Sequence, residues 1–256
     1  MTILIPVLNQ EKMLGRTIKE IRKVVKNPEI IVLYDVTKPE LKNFALGEAR
    51  KLGKAGVQTI FRFNVRGFGS ALRIGFENSA GERILVMMGD MCDDPKTIPK
   101  MMEKMDSGFD IVAGSRFMKG GGIIGSPKGQ LSNVVSKAIS IFSNAKSSDI
   151  TNAFRMYSRK VAENVKTETN SFDITTELTL KAASRGFRIG EVPTVWKNQD
   201  LEKTTFSVTK EAKRYFRHFL FAAFSMPSAL TKILILLFMA AVLFFAWPFL
   251  NLKLPI

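Results

Sequence analysis

The densest group of reactive side chains is Gly89-Asp90-Met91-Cys92-Asp93-Asp94, with three carboxylates within five residues directly after an apolar run. Crowded carboxylates repel one another, and a divalent cation relieves that repulsion. Hard oxygen donors suit Mg2+ or Mn2+, ions that also bridge to phosphate oxygens. Asp90 is therefore read as a metal ligand, with Asp93 as a second. Capping competes with that use, because Asp93 or Asp94 followed by Pro95 also makes a good start for a helix.

Three further constellations carry polar chemistry. In Asn64-Val65-Arg66-Gly67-Phe68-Gly69-Ser70-Ala71, glycines precede a helical stretch. They let backbone approach an anion at a helix N-terminus, with Arg66 adding charge; a plain tight turn uses the same residues. No Gly-Lys-Ser/Thr follows, which excludes a phosphate-binding P-loop. In Gly114-Ser115-Arg116-Phe117, followed by Lys119, three glycines at 120–122, Lys128 and Ser132, a cationic loop suits a phosphate that arginine grips at two points. An ordinary flexible basic loop has the same composition. In Asp149-Ile150-Thr151-Asn152-Ala153-Phe154-Arg155, a turn closed by a salt bridge is one reading. Glu177, on a mostly apolar helix, is a partner for a loop arginine or a catalytic group. His218 is the only histidine and Cys92 the only cysteine. That argues against a His-based triad, a zinc site, Cys–His chemistry or an intramolecular disulfide.

The elements that must position these residues alternate along the first half. Apolar runs predict strands at 1–7, 29–34, 57–62, 83–88 and 110–113. Helical spacing predicts helices at 11–25 (Leu14, Ile18, Ile21, Val25), 41–52, 67–79 and 97–105. Strand–helix alternation means an α/β fold with a mainly parallel, Rossmann-like sheet. Ligands of such sheets sit beyond the carboxyl ends of the strands. Those ends carry Pro6, Asn9, Glu11, Asp35, Asn64, Arg66, Gly67, Gly89 and Asp90. The glycines at 67 and 69 follow the third strand rather than the first, which excludes a dinucleotide fingerprint. The second half predicts a Gly-rich loop at 120–129, helices at 131–144 and 173–184, and strands at 154–158 and 190–196.

Net charge is +15 over 256 residues, which calls for an anionic partner. Nucleic acid is a poor candidate, since no basic patch interleaved with aromatics is present. Residues 233–250 hold no charge, and as a helix they span about 27 Å, close to a bilayer core. Lys197, Lys203, Lys210, Lys213, Arg214 and Arg217 precede them and only Lys253 follows. The positive-inside rule then predicts a single C-terminal span with the large N-terminal part in the cytoplasm. The opening apolar run is too short for a signal peptide. Residues 1–207 are expected to form the large α/β domain, 208–225 an amphipathic interfacial segment and 226–256 a transmembrane anchor.

Taken in order, these motifs resemble the inverting glycosyltransferases of family 2, which have the GT-A fold. The branch most similar is that of dolichyl-phosphate mannosyltransferases and polyprenyl-phosphate glycosyltransferases. The resemblance covers about residues 2–207. It rests on Ile5-Pro6-Val7-Leu8-Asn9-Gln10-Glu11 against the opening "IPVYNEE", on Asn64 to Ala71 continuing to Ala80-Gly81, and on Gly114-Ser115-Arg116. Asp149 to Arg155, Phe172 to Leu178 and Ile189-Gly190-Glu191-Val192-Pro193 complete it. Two positions depart from the pattern. Tyr34-Asp35 stands where the family has Asp-Asp, and Met88-Gly89-Asp90 where it has Asp-x-Asp, so one metal ligand is lost and Asp93 is the nearby replacement.

The resemblance implies a nucleoside pocket lined by Pro6, Asn9, Glu11 and Asp35, within a donor site that also takes in Asn64, Arg66, Gly67 and Gly89. It implies Asp90 holding Mg2+ or Mn2+ on the diphosphate, and Arg116, Lys128 and Ser132 beside the phosphate of a polyprenyl acceptor. Asp90 and Arg116 would be the catalytic pair, and the donor a GDP- or UDP-sugar. A phosphate acceptor is already anionic, so the lack of a histidine base is no obstacle. Two alternatives stay open: a same-fold transferase acting on a non-lipid glycan, and a degenerate, non-catalytic membrane subunit. A membrane-protein partner subunit is compatible with the lipid-acceptor reading.

Overall fold

A computed structural model describes residues 1–9, 11–64, 67–125, 129–141, 143, 145–198, 217–218 and 220–221. The expected roles of Arg66 and Lys128 fall outside the described residues. So do the transmembrane anchor at 226–256 and all but four positions of the interfacial segment.

The strands are β1 (Thr2–Leu8), β2 (Glu29–Val36), β3 (Gln58–Phe63), β4 (Arg83–Val86), β5 (Ile111–Ser115), β6 (Gly122–Ile124), β7 (Arg155–Ser158), β8 (Ile189–Pro193) and β9 (Val195–Lys197). The helices are α1 (Leu14–Val24), α2 (Lys42–Lys54), α3 (Phe68–Asn78), α4 (Ile98–Asp106), α5 (Gly129–Ile141), α6 (Arg159–Asn164) and α7 (Ile174–Ser184). Seven strands form one sheet in the order β3-β2-β1-β4-β7-β5-β8, and β6 with β9 forms a two-stranded ribbon. The large sheet is parallel except at β7, which runs antiparallel to both β4 and β5.

Period-2 alternation sorts the central strands onto two cores. Ile3, Ile5 and Val7, with Ile30, Val32 and Tyr34, meet Leu14, Ile18 and Ile21 of α1 and Ile98, Met101 and Met105 of α4. Leu4, Ile31 and Leu33 face the other way, onto Ala71 and Leu72 of α3 and Ile174, Leu178 and Ala182 of α7. The sheet is thus buried on both faces, which is why its strands read as unbroken apolar runs. At Gly75, an added β-carbon would lie 2.8 Å from the side chains of Leu4 and Leu33, so its absence lets α3 settle on the sheet.

Pro6 lies inside the central strand β1, where its missing N–H would ordinarily break a ladder. Leu4 accepts a hydrogen bond from Met87 N–H on the β4 side. Residue 6 faces that same side, one pleat further on. The β1–β4 pairing has ended at Leu4, so no donor is needed there. β1 continues along β2 as far as Leu8, and this overhang opens the carboxyl edge of the sheet.

Three expectations need correction. The strand expected at 190–196 is two strands in two sheets, β8 beside β5 and β9 beside β6. The chain breaks between them at buried Thr194, whose hydroxyl meets that of Thr97 at 3.0 Å. The Gly-rich loop at 120–129 contains β6, and α6 follows β7 where no helix was foreseen. Among the described residues no helix is long and apolar enough to cross a membrane.

Candidate active site at the carboxyl edge of the sheet

The first wall comes from the ends of β1, β2 and β3. Asn9 adopts a left-handed backbone with φ +62°, a conformation asparagine tolerates better than most residues. Its N–H donates to the Asp35 carbonyl at 2.7 Å. Its side-chain oxygen accepts from Thr37 N–H at 2.7 Å and Lys38 N–H at 3.1 Å. Asn9 therefore ties the turn after β1 to the turn after β2. Asp35 is buried and stands opposite Arg62 in the β2–β3 register. Arg62 donates to both its oxygens, Nε to Oδ1 at 2.6 Å and Nη2 to Oδ2 at 2.8 Å. Oδ2 also accepts from Gly67 N–H at 3.2 Å. Tyr34, one residue before, points into the opposite core, with its hydroxyl on Glu48 at 3.1 Å. Burial, together with the Glu48 charge, pushes that phenol above its ordinary range.

The glycines at the start of α3 do serve a close approach, and the approaching group is the chain's own segment at 169–170. Gly69 N–H donates to the Asn170 carbonyl at 3.1 Å. A β-carbon at Gly69 would collide with the Thr169 carbonyl oxygen. Arg73 donates to that carbonyl at 2.7 Å. Two of the leading amides of α3, at 67 and 69, are thus spent on Asp35 and Asn170. Asn64, at φ +58°, is exposed beside this turn.

The second wall is the loop after β4. Gly89 packs on Glu11, Ile5 and Leu14, and its carbonyl accepts from Thr17 Oγ1 at 2.6 Å. Glu11 Oε1 accepts from Met13 N–H at 2.9 Å at the entry to α1. Asp90 Oδ1 accepts from Cys92 N–H at 2.9 Å, which turns the loop through Met91 at φ +60°. Asp94 is the cap that the sequence allowed, accepting from Lys96 N–H at 3.0 Å. Asp93 is not a cap. It is 2% exposed, and its Oδ1 has no hydrogen-bond partner. Burial pushes its carboxyl up to about 7 and the neighbouring Asp90 adds to this, against the pull of Arg116 and of a hydrogen bond from Met88 N–H.

The third wall is built around Arg116, just past β5. Its Nε and Nη2 grip Asp149 Oδ2 and Oδ1 at 2.7 and 2.9 Å. Its own N–H donates to Asp149 Oδ2 at 3.0 Å, and Nη2 reaches Thr151 Oγ1 at 3.1 Å. The guanidinium also lies 5.1 Å from the centre of the Phe117 ring. The salt bridge read between Asp149 and Arg155 does not form. Arg155 is fully buried and donates to the Asn152 carbonyl at 2.9 Å, the Asp149 carbonyl at 2.5 Å and Thr179 Oγ1 at 2.8 Å. Ser132 is half-buried in the first turn of α5, while Ser136 one turn on meets Thr151 Oγ1 at 3.3 Å.

Asp93 feels the charges of Asp90, Arg116 and Asp149 together, so the carboxylate loop and the arginine loop share one electrostatic site. Asp35 and Asn9 serve the turns beside it. The sequence reading did not single out Arg62, whose only local signal was a charged residue inside an apolar strand, and it gave Glu191 no role beyond its place in the Ile189-Gly190-Glu191-Val192-Pro193 motif. Glu177 takes Lys181 at 2.6 Å and the amides of Glu168 and Thr169 at 3.0 Å, rather than a loop arginine. His218, expected at a membrane interface, is buried with Nε2 2.8 Å from Asp173 Oδ2. Among the described residues no three His, Cys, Asp or Glu side chains are grouped to hold a metal.

Residues 2–166 match the family described as "Glycosyl transferase family 2". The chain is 24% identical over 225 residues to the polyprenol monophosphomannose synthase of Mycolicibacterium smegmatis, covering 84% of each chain. It is 24% identical over 188 residues to the dolichyl-phosphate hexose transferase of Haloferax volcanii, covering 72% of this chain and 77% of that one. With the dolichol-phosphate mannosyltransferase of Pyrococcus furiosus it shares 32% over 123 residues, 47% of this chain and 34% of that longer protein. The solved glucosyl-3-phosphoglycerate synthase of Mycobacterium tuberculosis, with Mg2+ and uridine diphosphate, overlays at a TM-score of 0.64 and 14% identity, covering 89% of this chain and 80% of that one. At that identity the overlay speaks for the fold, a GT-A architecture. Because the family match spans more than half of the chain and its motifs fall on the walls just described, the protein belongs to glycosyl transferase family 2 and is a glycosyltransferase.

Proposed function

We propose that this enzyme transfers a sugar, with inversion, from GDP-mannose or a UDP-hexose to a polyprenyl or dolichyl phosphate at the cytoplasmic face of a membrane. The observation that carries the reading is Arg116, held by Asp149 just past the end of β5 and acting electrostatically on Asp93, which also feels the charge of Asp90. A guanidinium whose orientation is set by a carboxylate has a fixed direction, and arginine is well suited to an anionic acceptor phosphate. Two relatives matched over most of their own length support the acceptor class, being named for polyprenol and dolichyl phosphates.

The donor residues are those that the family resemblance implies. Pro6, Asn9, Glu11 and Asp35 would line the nucleoside pocket, with Asn64, Arg66, Gly67 and Gly89 completing the donor site and Asp90 at the diphosphate. Asp90 and Asp93 fit a divalent cation, because one buried oxygen of Asp93 lacks the partner such atoms normally have. Mg2+ or Mn2+ would neutralise the leaving diphosphate there. An oxygen of the acceptor phosphate forms the bond to the anomeric carbon while the bond from that carbon to the diphosphate oxygen breaks. The electron pair departs with the nucleoside diphosphate. Arg116, Lys128 and Ser132 orient the attacking phosphate, and no side chain needs to remove a proton. The lipid tail gives the basic segment at 208–225 and the apolar stretch at 226–256 their purpose.

Met88 and Tyr34, which stand where the family carries acids, favour a second reading, a non-catalytic membrane subunit. One assay separates the two. The full chain in detergent is given polyprenyl phosphate and labelled GDP-mannose, UDP-glucose or UDP-N-acetylglucosamine, with and without Mg2+ or Mn2+. Label entering the organic phase supports transfer and names the donor. Nucleotide binding without transfer to the lipid, with any donor, would turn the assignment to the second reading or to a non-lipid glycan acceptor.

A further inference from the structure

We propose that Glu191, on β8, is the positioning residue for Arg116, acting from the opposite side of the 147–149 turn. Its carboxylate is the hub of four hydrogen bonds. Oε1 accepts from Ser147 Oγ at 2.6 Å and Asp149 N–H at 3.0 Å. Oε2 accepts from Ser148 N–H at 2.9 Å and Ser148 Oγ at 2.8 Å. Two arms run from this hub to Arg116.

The first arm passes through Asp149. Glu191 fixes the Asp149 amide, and the Asp149 carboxylate grips the Arg116 guanidinium and amide at 2.7–3.0 Å. The second arm passes through two serines, and its direction can be deduced. Ser148 has one hydroxyl proton, and Glu191 takes it. In the 2.7 Å contact between Ser148 and Ser115, Ser115 must therefore donate. With its proton committed, Ser115 Oγ accepts from Phe117 N–H and Met118 N–H, each at 3.3 Å. These bonds shape the turn from which the Arg116 side chain leaves. One arm sets where the backbone of residue 116 lies; the other sets where its guanidinium points.

The architecture explains why the hub lies on β8. Ala113 pairs with Glu191 and Ser115 with Pro193 in the β5–β8 register. Thr194 N–H then donates to the Ser115 carbonyl at 2.9 Å. The strand carrying Glu191 is thus fixed to the strand that delivers Arg116, and the 147–149 turn is clamped between them. Groups that orient a functional side chain matter through its placement, since a displacement of about 1 Å costs roughly 100-fold in rate.

The inference rests on the reading of Arg116 as the acceptor-phosphate residue, and the test separates the two. Glu191→Gln keeps the side chain's size but turns an NH2 toward either the Ser148 or the Asp149 donors. Ser148→Ala breaks the serine arm alone. Three quantities are measured on the full chain: hydrogen exchange at the amides of residues 116–118, affinity for UDP and GDP, and transfer kinetics with varied polyprenyl phosphate. Expected for Glu191→Gln are faster exchange at 116–118, a fall of roughly 10- to 100-fold in kcat/KM for the lipid, and nucleotide affinity within about twofold of wild type. Ser148→Ala should give a smaller loss of the same kind. Unchanged exchange at 116–118, or donor and acceptor affinities falling together, overturns the inference. If wild-type protein transfers no sugar to the lipid, the functional reading fails, and the exchange result alone decides whether Glu191 positions Arg116.

Discussion

Asp35 and Arg62 face each other across β2 and β3 and close a two-point ion pair, with both side chains 6% exposed. The pair also collects Gly67 N–H and, through Arg62 Nη1, Ser70 Oγ at 2.8 Å. It is thus the joint between the end of β2 and the start of α3. Removing one partner strands a buried charge. Arg62→Ala should cost about 3–5 kcal/mol, read as a lower denaturant midpoint at an unchanged slope. Replacing both residues by leucines should cost less than Arg62→Ala alone, because no unpaired charge then remains.

Arg116→Lys keeps the charge but loses the fork that grips Asp149 at two points. Transfer efficiency toward the lipid phosphate should fall roughly 100-fold, while UDP and GDP affinity stays near wild type. Steady-state kinetics with each substrate varied in turn, beside a nucleotide titration, reads both.

Gly69→Ala tests the packing of α3 on the 169–170 segment. The added methyl collides with the Thr169 carbonyl, backbone that cannot swing away like a side-chain tip. Overpacking of this kind costs about 1–3 kcal/mol, which thermal unfolding measures. Gly15→Ala, where a β-carbon meets nothing within 4 Å, is the control and should be neutral or slightly stabilising.

Asp173 gives the acid limb of stability. Burial pushes its carboxyl up, but hydrogen bonds from His218 and from Thr169 at 2.7 Å, with the His218 charge, outweigh this and hold it below the ordinary range. A depressed carboxyl stabilises the fold above its unfolded value, near pH 4, and loses that contribution as pH falls through the folded value. Asp173→Asn should therefore lower Tm at about pH 6, and the gap to wild type should close toward about pH 2. Melting curves across that window check the sign; a gap that widens on acidification would contradict it.

The sequence by itself determined the alternating α/β frame and the strand ends at which polar groups gather. Burial on one or both faces of an element is written locally, in the spacing of Ile3, Ile5 and Val7 or of Leu14, Ile18 and Ile21. The capping role of Asp94 was legible for the same reason, since its partner Lys96 is two residues away. Tertiary structure decided the partnerships. Arg116 finds Asp149 across 33 positions, Asp35 finds Arg62 across 27, and His218 finds Asp173 across 45. Arg155 lies much nearer to Asp149 in sequence, yet the buried antiparallel strand β7 turns it toward carbonyls instead. Charge and spacing along the chain say which groups seek a partner. Only strand register and the burial of competing groups fix which partner each one meets, and that choice is what aims Arg116.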